Sequence, residues 1–98
     1  MLNHIALYNF KKDVDASDKK VAAVRIKKAL ENLKDKIDGV IDITVEIILQ
    51  DTSSADFLMV AKFRDKEALN GFYNSPFLFN VRSQMDKVEA VHTADYVV

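Results

Sequence analysis

Two histidines, three tyrosines and no cysteine bound the chemistry open to this chain of 98 residues. His4 is the one strongly polar side chain on the alternate positions Leu2, His4, Ala6, Tyr8 and Phe10. Imidazole titrates near neutrality, so His4 is a candidate general base or ligand hydrogen-bond partner. The competing role is a neutral histidine bonded inside a core. His92 and Tyr96 share a parity near the C-terminus, and antiparallel pairing would bring them beside His4 and Tyr8. Two histidines and a carboxylate could hold a metal. No local spacing has ligand character, so neither a metal nor a cofactor is expected. Asp95 and Tyr96, being adjacent, point to opposite faces of a strand. Tyr96 is expected beneath the helices, and Asp95 in a structural hydrogen bond or a subunit contact. The lack of cysteine removes disulfides, thiolate nucleophiles and Cys-ligated zinc.

These side chains need elements to hold them. Leu2 to Phe10 alternates with apolar groups on both parities, as in a central strand covered on each side. After the polar Lys11 to Asp15, an apolar stripe at helical spacing runs through Ala22, Ile26, Ala29, Leu30, Leu33 and Ile37, with Asp15 or Ser17 able to cap it. Gly39 stands where a helix end favours left-handed φ. Val40 to Gln50 alternates with a period of two, Asp51 to Ser54 is hairpin-sized, and Phe57 to Phe63 forms the returning strand. Asp65 caps a short helix. Ser75-Pro76 restarts the chain as a second one, with Phe77, Leu78, Val81 and Met85 on its buried side. Val88 to Val98 closes as a strand.

The order β-α-β-β-α-β predicts an α+β fold over residues 1–98 as a single domain: a ferredoxin-like, four-stranded antiparallel sheet with helices on one face. The other face would be bare and yet apolar. Ile5 and Leu7 from the first strand, Leu58 and Val60 from the third, and Val91 and Val97 from the last are expected there. Exposed apolar surface costs roughly 25 cal/mol per Å², so a second copy is expected to cover this face as a homodimer.

Lys plus Arg is 14 and Asp plus Glu is 15, a net charge of −1, which argues against nucleic acid or an anionic membrane as a main partner. The basic side of the first helix, from Lys19 to Lys36, reads as a solvated face. No apolar run is long enough to span a membrane and no basic stretch precedes an apolar one near the start. A cytoplasmic protein is expected.

The segments NHIALYNFK, IDGV, FLMVAKFRDKEALNGFYNSP and TADYVV, in this order, resemble the stress-responsive dimeric α/β-barrel (Dabb) family. The resemblance implies a barrel of eight strands, four from each subunit, and a pocket in each subunit between the sheet and its own helices. His4, Ala6, Tyr8 and Met59 on the sheet would line it, facing Ala22, Ala23, Ile26, Phe72 and Leu78 on the helices. Polyketide-cyclase members of the family use a Tyr and a His near the Pro motif for proton transfer. Here Phe72 and Leu78 stand at those two places and Ser75 at a further His. Neither Phe nor Leu exchanges a proton. Tyr73 is one place off, about 100° round a helix, and is expected to be a poor substitute. A dimer binding a small apolar or aromatic ligand is therefore expected first. An enzyme on polyketide-like or aromatic substrates, of cyclase or cofactor-free monooxygenase type with His4 as base, is the alternative.

Overall fold

The computed structural model describes all residues from Met1 to Val98. Its elements run β1 (Leu2–Phe10), α1 (Ala16–Glu31), a 3₁₀ turn (Asn32–Asp35), β2 (Val40–Glu46), β3 (Phe57–Phe63), α2 (Lys66–Tyr73), α3 (Pro76–Arg82) and β4 (Val88–Val97). The strands form one antiparallel sheet in the order β2-β3-β1-β4. This is the expected ferredoxin-like arrangement. No helix is long and apolar enough to cross a membrane.

Local chemistry explains the boundaries. The Asp15 side chain accepts from the Asp18 amide at the start of α1, and Asp65 accepts from the Ala68 amide at the start of α2. Ser75 caps α3, whose first residue, Pro76, has no amide hydrogen to leave unpaired. Gly39 has φ of 83°, and a Cβ there would sit 2.5 Å from Cβ of Ala68. A glycine is thus required both by the turn and by the approach of α2.

The helices cover one sheet face. There Ala6, Val45, Phe57, Ala61 and Phe63 are fully buried against Ile26 and Phe72. Tyr8 stacks on Phe57 with ring centroids 4.6 Å apart. Ala6 and Ala22 are buried in the same core as Ile26, Leu30 and Phe72, and neither lines a cavity.

Two expectations need correction. The strand predicted over Val40–Gln50 ends at Glu46, and Ile47–Gln50 leaves the sheet. Alternation continues through Ile47 and Leu49, but no neighbour there receives the ladder. The facing of β4 is also reversed. Phe10 pairs with Val88 and Asn9 with Ala90, so Glu89 is an extra residue in a bulge. One extra residue moves every later side chain to the other face. Val91 and Val97, expected on the bare face, lie on the helix-ward side across from Tyr8 and Leu2. His92 and Tyr96, expected beside His4, lie on the bare face across from Leu7 and Asn3.

Candidate functional site

The bulge at Glu89 delivers Asp95 directly across from His4 on the helix-ward face. The Asp95 carboxylate there takes a hydrogen bond from His4 Nδ1. A carboxylate can only accept, so Nδ1 carries a proton, and in the neutral imidazole Nε2 is then the acceptor. The Tyr73 hydroxyl donates to that Nε2 over 2.5 Å. An Asp95–His4–Tyr73 chain results, with His4 almost wholly buried at its centre. The imidazole stands edge-on to the rings of Tyr73 and Phe63, which fixes its orientation.

Tyr73 sits at the end of α2, and its offset of one residue from Phe72 sets its direction. Phe72 points into the core with no exposure, while Tyr73 turns toward β1 and β4. Sequence reasoning discounted Tyr73 because its angle on an ideal helix looked wrong. The hydroxyl reaches His4 because α2 ends here and the aromatic ring is long. Burial pushes the Tyr73 phenol above its ordinary range, the Arg82 guanidinium opposes this, and the Asp95 carboxylate adds to it. Tyr73 is therefore a protonated phenol at neutral pH.

Beside Tyr73 opens a cavity of about 370 Å³ between the sheet and α2–α3. Tyr8, Met59, Phe72 and Leu78 stand on its wall. Leu30, Met85, Val88 and Val91 complete its apolar wall, and Arg82 stands at its edge. The Arg82 guanidinium lies 5.3 Å from the Tyr73 ring centroid, a cation–π distance. His4 reaches the cavity through Tyr73 rather than by its own surface. Ala6, Ala22 and Ile26 belong to the filled core and touch no cavity. Ala23 lines a different, broader groove of about 780 Å³ between the start of α1 and Ile47–Gln50. That groove holds no buried titratable group, and its Asp56 carboxylate is occupied by the Phe10 amide.

His4 and His92 lie on opposite faces of the sheet, so the pair considered for a metal does not come together. Arg82, Tyr73 and Asp95 are the site residues missed by the sequence. The bulge hid Asp95, and no periodic signal marked Arg82.

Comparisons with known proteins agree with this architecture. A family model described as the stress responsive A/B barrel domain matches residues 2–98. No curated protein matches the chain. A dimeric protein of unknown function and ferredoxin-like fold from Bacteroides fragilis superposes with a TM-score of 0.92 at 20% identity, over 99% of this chain and 95% of that one. A Dabb family protein from Mesorhizobium loti gives 0.72 at 22% identity, over 99% and 95%. Hydroxynitrile lyase from Passiflora edulis gives 0.74 at 14% identity, over 99% and 92%.

Proposed function

The chain belongs to the stress-responsive A/B barrel domain family, and from that premise we propose that it is a homodimer holding one small, largely apolar molecule in each subunit. The carrying observation is the cavity beside Tyr73, apolar on nearly every side and met by a few convergent polar groups, the usual make-up of a ligand site. Similar folds described as dimeric support the pairing. So does Asn3, whose Oδ1 is buried without a hydrogen-bond partner near the bare face, where a second copy could supply one. Ile5, Leu7, Leu58 and Val60 form the apolar part of the contact, with His92, Ala94 and Tyr96 beside them.

Met59 and Met85 line the cavity, while Met1 lines a separate pocket with Leu2 and Val97. Carbon-13 methyl spectra of methionine-labelled protein therefore report occupancy. Addition of small aromatic acids and alcohols is expected to shift the Met59 and Met85 methyls and leave Met1 in place. Unmoved Met59 and Met85 signals at millimolar concentrations of every compound would remove this reading.

A second reading, enzyme action, is favoured by the Asp95–His4–Tyr73 chain. The carboxylate holds the imidazole in one tautomer, Nε2 can take the phenol proton, and the phenol can then exchange a proton with a bound molecule. Such positioned proton transfer is worth about 10² to 10⁴-fold in rate. A similar fold is a hydroxynitrile lyase, so acid–base work on a small oxygenated molecule is compatible with this architecture. Turnover that persists unchanged in His4→Ala would dismiss it.

A further inference from the structure

We propose that the molecule held beside Tyr73 carries an anionic oxygen head, a carboxylate or a stabilised enolate or phenolate, received jointly by Arg82 and the Tyr8 hydroxyl. This rests on the cavity being a ligand site, and it adds the charge and orientation of the ligand.

Arg82 is the one charged side chain on the cavity wall. No carboxylate lies within ion-pair distance of it; the ion pairs of the chain join Lys27 to Glu31, Lys34 to Asp42, and Arg64 to Asp38 and Asp65, and Asp95 is held by His4. The guanidinium lies over Tyr73 at the exposed edge of the cavity. With no hydrogen-bond or ion-pair partner in the chain, its N–H groups are free for an oxyanion.

Tyr8 supplies the independent observation. The residue is 6% exposed, yet its hydroxyl makes no hydrogen bond within the chain. A buried phenol normally finds a partner. This hydroxyl is not sealed by protein, because Tyr8 forms part of the cavity wall. Tyr8, Tyr73 and Arg82 line the same cavity, and burial holds the Tyr8 phenol above its ordinary range, with Tyr73 adding to the effect and Arg82 opposing it. Tyr8 is thus a standing O–H donor at working pH. The Tyr73 O–H is already directed at His4, so the donors left for a ligand are the Tyr8 O–H and the Arg82 guanidinium. Two donors, one cationic, with no competing acceptor charge on the wall, select an anion over a neutral or cationic molecule of the same shape. The remaining wall is aliphatic or aromatic and takes an apolar body.

Three probes of one shape test this: 2-naphthoate, 2-naphthalenemethanol and 2-naphthylmethylammonium, titrated into the full chain and followed by the Met59 and Met85 methyls. Naphthoate is expected to bind about tenfold or more tighter than the alcohol, as suits a charge-assisted hydrogen bond, and the ammonium weakest. Arg82→Gln should erase that preference and Arg82→Lys restore part of it. Tyr8→Phe should weaken naphthoate about threefold to tenfold while leaving the alcohol less affected. Equal binding of naphthoate and alcohol overturns the anionic head and leaves the ligand cavity standing. Binding by none of the three, with folded spectra, overturns both. A preference for naphthoate that survives intact in Arg82→Gln also overturns the assignment.

Discussion

His4 shows how one residue type can carry opposite meanings until its neighbours are placed. A histidine on an apolar face is usually a satisfied core group, and here it is satisfied on both nitrogens. What separates it from a purely structural histidine is that one partner, Tyr73, opens onto a cavity. The Asp95 carboxylate dictates the Nδ1–H tautomer, which is the less common one for free imidazole. Nitrogen-15 spectra of the wild-type protein are expected to show His4 protonated at Nδ1 with Nε2 as acceptor, and Asp95→Asn to shift the balance toward Nε2–H. An Nε2–H tautomer in the wild type would break the proposed relay. Tyr73→Phe keeps the ring but strands a buried nitrogen, at a cost of about 1–3 kcal/mol, read as a lowered denaturant midpoint.

At the level of elements, the caps and the alternation were legible because they are local. Asp65, Ser75-Pro76 and the buried parity Phe57, Met59, Ala61, Phe63 follow from chain geometry alone. The β4 facing was not legible, since a bulge at Glu89 is decided by pairing with β1 and leaves no mark in the composition. Asp95, expected in a structural hydrogen bond or a subunit contact, bonds His4, and the same bulge explains why that partner was not legible. The edge of β2 shows another non-local device. Glu31 accepts from the Val45 amide at 2.9 Å, and Lys27 donates to the Val45 carbonyl and to Glu31. Two α1 side chains thereby close an otherwise open strand edge. Partial burial works to raise the Glu31 carboxyl, but the bonds from Lys27 and Val45 and the Lys27 charge outweigh it and hold it below the ordinary range. A depressed carboxyl stabilises the fold above its unfolded pKa, near 4.3, and that contribution is lost as pH falls through the lower folded value. Glu31→Gln should therefore flatten the acid limb of stability below about pH 4, measured by urea midpoints across pH. An unchanged acid limb would show that Glu31 has no such role. Gly39→Ala meets both a positive φ and the Cβ of Ala68. It should cost about 1–2 kcal/mol or more and lower Tm by several degrees.

For the whole molecule, the two faces of the sheet differ in how they are covered. Helices roof one face, where the core side chains are nearly all inaccessible. The other carries Ile5, Leu7, Leu58 and Val60 with no cover from its own chain, and Leu7 and Tyr96 are open to 38% and 50%. β4 is ten residues long, lies at the sheet edge and is exposed through most of its length. Long open edges invite pairing unless something covers them, and no helix of the chain does so. The β2 edge, in contrast, is closed at Val45 by α1. A second copy laid on the bare face answers the first of these features. It would bury the apolar patch, on the same face as the orphaned Asn3 oxygen. An acidic side chain in the middle of this contact faces its own symmetry mate across a desolvated patch, which opposes association twice over. Val60→Asp and Leu7→Asp should each convert a dimer into a monomer in sedimentation velocity at micromolar protein. Phe79→Asp, on the exposed side of α3, should leave the dimer intact, since Phe79 is 72% exposed on the helix layer. A wild-type chain that sediments as a stable monomer at that concentration would overturn the pairing, and with it the reason for an apolar bare face.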